Sequence, residues 1–183
     1  MDIENIHVMR SSLHRLKSGL TLPNYVDELP RDVISKRSAE KIEMDNDVMS
    51  QSAWKVHLCL LLKGAIAIAE SLMLAHPVLI HCSDGWDRTS QLSSLTQILL
   101  DPYYRTFEGF LALIMKDWCA FGHKLGERIH TETRRWVSAG KPDKDNSRGI
   151  PSNTETSPVF LQFLDCVYQM HRQFPYAFEF SAH

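Results

Sequence analysis

The stretch "HCSDGWDRT", residues 81–89, stands between the apolar run "VLI" at 78–80 and the periodic segment "TSQLSSLTQILL". The short, β-branched run after Pro77 predicts a buried strand over 78–81. Leu92, Leu95 and Leu99 predict a helix from 89 that Asp101-Pro102 ends. A strand that feeds a short loop and then a helix aims backbone N–H groups and the helix dipole at one point, which is how anion sites are built. Residues 82–88 are therefore expected to form a phosphate-binding loop. Cys82 and Arg88 bracket it, so a thiol can sit at its base while the guanidinium returns to grip two phosphate oxygens. Near a helix N-terminus and a cation, a thiol drops from about 8.5 to roughly 3.5–7.5 and becomes a nucleophile for phosphoryl transfer.

The neighbouring residues fall into supporting roles. His81 is expected to hold the loop by ring hydrogen bonds, Gly85 to let the backbone curl, and the Thr89 hydroxyl to hydrogen-bond the thiolate. A leaving alkoxide needs a proton, and the Trp-Pro-Asp tripeptide that delivers an acid in many cysteine phosphatases does not occur in the chain. Asp87 and Asp84 are the acids at hand. Arg88 beside Asp87 lowers the carboxyl pKa, whereas a bound phosphate dianion raises it, so Asp87 is expected to be protonated mainly with substrate present.

Outward from the loop, most of the chain reads as helix. Ile6, Met9, Leu13 and Leu16 are helically spaced, with Asn5 as N-cap and Gly19 as stop. Residues 20–49 read as a connection. From Ser52 to about Ala75, Trp54, Leu58, Leu61, Ala65, Ile66, Ala69, Leu72 and Met73 form one face of a long helix, interrupted by Lys63 and Glu70, which reads as buried rather than membrane-spanning. A further helix is expected over 106–121, continuing past Gly122 to Arg128. The Gly-, Pro- and Ser-rich residues 138–157 read as a mobile surface loop, and Pro158 starts a helix burying Phe160, Phe163, Leu164, Val167 and Met170. A buried strand needs neighbours on both sides, so the chain reads as part of a larger α/β domain.

The 183 residues carry 44% hydrophobic and 23% charged side chains and a net charge of −2, an ordinary globular balance with no global field for nucleic acid. The cysteines form no C-x-x-C pair, which argues against zinc and against a disulfide scaffold. Cys59, Cys119 and Cys166 read as core. The acidic N-terminus lacks a signal-peptide apolar stretch, so the expected compartment is reducing and cytoplasmic. Trp54, Trp118 and Trp136 read as packing residues, and His7, His57 and His123 as structural.

The nonapeptide and its surroundings resemble the myotubularin family of phosphoinositide 3-phosphatases. "HCSDGWDRTSQ" is similar to the family signature, and "NIHVMRSSLHRLK", "DPYYRTFEGF", "WCAFGHKLGERI" and "SPVFLQFLDCVYQMHRQFPYAFEF" resemble other family blocks in the same order. The likeness is weak over 20–49 and 131–156. It implies an α/β, cysteine-based protein-tyrosine-phosphatase-like fold. Residues 1–183 would be a partial domain of that type, its C-terminal half, with mostly helices around one recognisable central strand. A fragment or partial gene model is the expected origin.

The resemblance further implies removal of the 3-phosphate from phosphatidylinositol 3-phosphate and phosphatidylinositol 3,5-bisphosphate through a cysteinyl-phosphate intermediate, with no cofactor and no metal. By position Cys82 matches the nucleophile, Arg88 the phosphate-binding arginine and Asp87 the general acid and base. Ser83, Asp84, Gly85 and Trp86 match phosphate- or inositol-contacting loop residues, as do Asn5 and Ile6. Lys124 and Arg128 match basic headgroup positions and, at i and i+4, share a helical face. The implied partners are a phosphoinositide headgroup in membranes of endosomal type, with the protein peripheral on them, and other family members in a homo- or hetero-oligomer. Two alternatives stay open: a catalytically silent fragment or interaction subunit of a myotubularin complex, and a protein tyrosine or dual-specificity phosphatase.

Overall fold

A computed structural model describes residues 3–20, 52–129 and 155–181. The connection at 21–49, Trp136 and the loop at 138–157, apart from residues 155–157, lie outside the described residues. Six α-helices are described: α1 (Ile6–Leu20), α2 (Trp54–Met73), α3 (Arg88–Leu100), α4 (Phe107–Leu113), α5 (Leu125–Arg128) and α6 (Val159–Gln173). Short 3₁₀ turns occupy Pro102–Arg105 and Pro175–Ala177, and α4 widens into a π-helical segment over Ile114–Ala120. α3 lies at the centre, against α2, α6, the Pro102–Arg105 turn and the π-segment.

The core forms where the apolar stripes of these helices meet. Leu61 and Ala65 of α2, Leu95 and Ile98 of α3, Leu113, Trp118, and Phe163 and Cys166 of α6 are all sealed from solvent. Each fully buried aliphatic side chain stabilises the fold by about 1.5–3 kcal/mol. α1 starts as its sequence predicts, because the Asn5 Oδ1 accepts hydrogen bonds from the N–H groups of His7 and Val8 at 3.0 and 3.2 Å. The helix then runs through Gly19 to Leu20 rather than stopping at the glycine.

The wide turn of the π-segment lets two successive residues, Asp117 and Trp118, both face α3. The buried Asp117 carboxylate accepts from Ser93 Oγ and Gln97 Nε2, and Trp118 Nε1 donates to Ser94 Oγ at 3.0 Å. Gly122, with φ +82°, reverses the chain after this segment and delivers residues 123–128 to the start of α3. The single helix expected through 106–128 is thus broken into α4, the π-segment and α5.

Three other expectations change. Among the described residues no strand is present, and 78–81 is irregular, with Val78 and Leu79 exposed. A strand exists only through a ladder partner, and none of the described segments offers one. α2 is apolar on more than one face. Leu58, Leu61, Ala65 and Ala69 turn inward, whereas Val56, Ile66, Leu72 and Met73 are exposed. Cys59 lies on that outer side and Cys119 on the outer side of the π-segment, so of the three cysteines expected in the core Cys166 alone is buried.

Candidate active site

The loop expected from sequence at 82–88 turns on Gly85, whose φ of +86° is the left-handed region that favours glycine. That turn points the Gly85 N–H at the Cys82 sulfur, 3.1 Å away. Burial disfavours the thiolate, but the Thr89 hydroxyl and the N–H groups of Gly85, Asp84 and Thr89 outweigh it and bring the thiol down to about 7. Thr89 Oγ1 is itself buried and has no hydrogen-bond partner among the described residues, which leaves its proton free to turn toward the ionised sulfur. His81, expected to brace the loop, is exposed and makes no hydrogen bond to the described residues.

α3 begins one residue before its expected start, at Arg88. The Arg88 guanidinium folds back across the loop, with NH2 donating to Ser83 Oγ at 3.0 Å and NH1 to the Ile3 carbonyl at 3.2 Å. It therefore does not pair with the adjacent Asp87, contrary to the expectation that Arg88 sets that carboxyl's pKa. Successive side chains at a helix start diverge, so adjacency in the chain is a poor guide to pairing.

The cation on Asp87 is Arg128. Its Nε and NH2 reach the Asp87 Oδ1 and Oδ2 at 3.0 and 2.9 Å, a two-pronged pair with both side chains almost wholly buried. His123 Nδ1 lies 3.3 Å from Asp87 Oδ1 and 2.6 Å from the Trp86 carbonyl. Burial raises the Asp87 pKa, but hydrogen bonds and charge from His123 and Arg128 overcome it and hold the carboxyl below its usual range. The same pairing with Asp87, helped by Glu155, raises Arg128 against the effect of burial. Arg128 NH1 also donates to the Glu155 carbonyl and Oε2 at 3.0 and 3.1 Å.

A cavity of about 310 Å³ opens over the loop. Of the residues expected at the site, Asn5, Ile6, Cys82, Ser83, Asp84, Trp86, Asp87, Arg88 and Arg128 line it. Gly85 and Thr89 act from behind the wall, on the sulfur. Lys124 stays outside the cavity: it precedes α5, pairs with Glu127 at 3.4 Å and rests over the Trp86 ring at 4.7 Å. Arg128 meets the cavity with four of its five N–H donors already engaged by Asp87 and Glu155.

Sequence reasoning missed several wall residues, among them Glu4, Glu155 and the buried pair Gln91 and Gln162, whose amides meet at 3.3 Å. The one available signal was Gln91, which stands one turn beyond Arg88 on the same face of α3. His123, read as structural, touches the loop itself.

A sulfur that ionises near neutrality, presented by backbone N–H groups beside a guanidinium, is the construction of a cysteine-based phosphatase domain. Within that class the chain belongs to the family of the myotubularin-like phosphatase domain, whose family model matches residues 1–183. It is 45% identical over 182 residues to phosphatidylinositol-3,5-bisphosphate 3-phosphatase mtm-1 of Caenorhabditis elegans, covering 99% of this chain and 26% of the worm protein. Myotubularin of Xenopus laevis is 41% identical over 184 residues, 100% of this chain and 25% of the frog protein. Phosphatidylinositol-3,5-bisphosphate 3-phosphatase MTMR6 of Mus musculus is 42% identical over 185 residues, 98% of this chain and 24% of the mouse protein. The chain thus spans about a quarter of the length of these relatives.

Proposed function

We propose that this chain carries the nucleophile and phosphate-binding part of a phosphoinositide 3-phosphatase acting on phosphatidylinositol 3-phosphate and phosphatidylinositol 3,5-bisphosphate. The observation that carries the reading is the Cys82 thiol, brought to about 7 by the loop at the edge of a cavity that Arg88 also lines. The phosphatidylinositol-3,5-bisphosphate 3-phosphatases of worm and mouse supply the substrate class. The Cys82 thiolate attacks phosphorus, an S–P bond forms as the P–O bond to the inositol breaks, and the leaving oxygen takes a proton from Asp87, whose pKa the bound phosphate dianion raises against Arg128 and His123. Water then attacks phosphorus, giving its proton to Asp87 and releasing inorganic phosphate and the thiolate.

Arg88 and the N–H groups of the loop hold the phosphate oxygens, while Ser83, Asp84, Trp86, Asn5 and Ile6 face the inositol ring. Lys124 and Arg128 act at the rim and through Asp87 respectively. Residues 78–81, apolar and exposed at Leu79, serve as the strand that other parts of such a domain pair with. The setting is cytoplasmic and peripheral on endosomal-type membranes, with self-association or pairing among family members. The silent-subunit and protein-phosphatase readings are less well supported, since Cys82, Asp87 and Arg88 are all present and the worm and mouse relatives are named as lipid phosphatases.

Phosphate release from short-chain phosphatidylinositol 3-phosphate, set beside a phosphotyrosine peptide, tests the reading. Release from the lipid, abolished in Cys82→Ser, is expected. A folded sample that released nothing, or that preferred the peptide, would overturn it.

A further inference from the structure

The loop is held from outside by a residue that none of the phosphoryl-transfer roles above employs. His123 follows the Gly122 reversal, its side chain is fully sealed from solvent, and its ring meets Trp118 edge-on at 4.7 Å. Trp118 is in turn fixed to α3 through Ser94. A carbonyl oxygen can only accept, so the 2.6 Å approach of Nδ1 to the Trp86 carbonyl places a proton on Nδ1. The same N–H leans toward Asp87 Oδ1, and the opposite nitrogen, Nε2, is buried without a partner among the described residues. The Trp86 carbonyl also accepts from Ser90 Oγ at 3.0 Å, so both of its lone pairs are taken up.

We propose that His123 is a positioning residue for the phosphate-binding loop: its Nδ1–H, shared between the Trp86 carbonyl and the Asp87 carboxylate, fixes the turn that aims the Gly85 N–H at the Cys82 sulfur. The carbonyl it grips belongs to the residue after Gly85. Once the orientation of that peptide plane is set from one side by His123 and from the other by Ser90, the preceding turn has little room to rotate. Arg128 locks the next residue along through the Asp87 carboxylate. Held at two successive residues, the loop keeps its N–H groups oriented before any phosphate arrives, and such preorganisation is what makes oriented dipoles effective on a developing charge. The role deepens the phosphatase reading and rests on it for its consequence in turnover, but not for its effect on the thiol.

Two substitutions separate a positioning hydrogen bond from mere packing. His123→Phe keeps a ring against Trp118 and removes the donor, and His123→Asn puts an amide N–H near the place of Nδ1. Iodoacetamide alkylation of the full chain is followed against pH on the tryptic peptide 64–88, in which Cys82 is the one cysteine. In His123→Phe the midpoint should rise from about 7, and the rate near pH 6 should fall about tenfold for each unit of that rise. His123→Asn should recover most of the loss.

An unmoved midpoint in a folded His123→Phe protein, or equal shifts in Phe and Asn, would overturn the proposal. If the phenylalanine variant does not fold, His123→Leu takes its place in the same comparison. Lipid turnover is measured in parallel. Wild-type turnover with an unmoved midpoint defeats the positioning role alone, and a moved midpoint without wild-type turnover defeats the phosphatase reading alone.

Discussion

Removing Arg128 should expose how much of the site's stability rests on one ion pair. In Arg128→Met the Asp87 carboxylate keeps its burial and loses both prongs, and breaking a buried pair from one side costs about 3–5 kcal/mol. His123 remains 3.3 Å from Oδ1, so the lower end applies, about 3 kcal/mol. For a chain of this length that lowers Tm by roughly 6–12 °C. The sign with pH follows from the depressed Asp87 pKa. The pair contributes fully above the unfolded carboxyl value, near about 3.9, and its contribution is lost as pH falls through the lower folded value. In the variant the unpaired, buried carboxyl is relieved by protonation, so its deficit relative to wild type should shrink on acidification. Urea unfolding followed by far-UV circular dichroism at about pH 7 and about pH 3 measures both limbs. A neutral-pH loss below about 1 kcal/mol, or a deficit that stays constant into acid, would refute the account.

Other outcomes follow from single features of the loop and core. The acid limb of kcat/KM on the lipid should rise through about pH 7 as Cys82 ionises, and a limb lying near the ordinary thiol value would contradict the hydrogen bonding around the sulfur. Gly85→Ala meets no neighbour within 4 Å, so its effect is conformational strain alone, about 1–2 kcal/mol by denaturant titration, with a raised Cys82 alkylation midpoint. Gly109→Ala is a different case, since its Cβ would lie 1.9 Å from the Tyr103 carbonyl oxygen. The α4 start must then move, at roughly 3 kcal/mol, and a Tm within a degree or so of wild type would show that the turn yields more freely than packing allows.

What the sequence made legible was local. The loop could be read because Cys82, Gly85, Arg88 and Thr89 act within one turn of chain, and the Asn5 cap because it bonds residues two and three positions on. The partner of Asp87 could not be read, because Arg128 lies forty-one positions away and arrives only through the π-segment and the Gly122 reversal. His123 was hidden for the same reason, since a lone histidine after a helix looks alike whether it packs in a core or braces a loop. α2 misled in another way. Its apolar residues on more than one face do not say which side meets α3, and Cys59, Ile66 and Met73 fell on the side that does not.

Asp87 and Arg88 together break two local rules at the start of α3. An aspartate at an N-cap ordinarily accepts an N–H from the first turn, worth about 1 kcal/mol, yet Asp87 makes no such bond and turns its carboxylate inward to Arg128. The next position holds a cation at the positive end of the helix, unfavourable by about 0.3–1 kcal/mol. The first turn of α3 is thus short of negative charge twice over. An anion seated against the loop would answer both shortages, accepting from the loop and first-turn N–H groups that otherwise serve the Cys82 sulfur and neutralising Arg88. It would also set a negative charge near Asp87 and draw its pKa upward against His123 and Arg128. A chain that gives up a cap and tolerates an ill-placed cation leaves its stabilisation to be completed by ligand, and adjacent violations of this kind are expected at sites shaped for function rather than for folding.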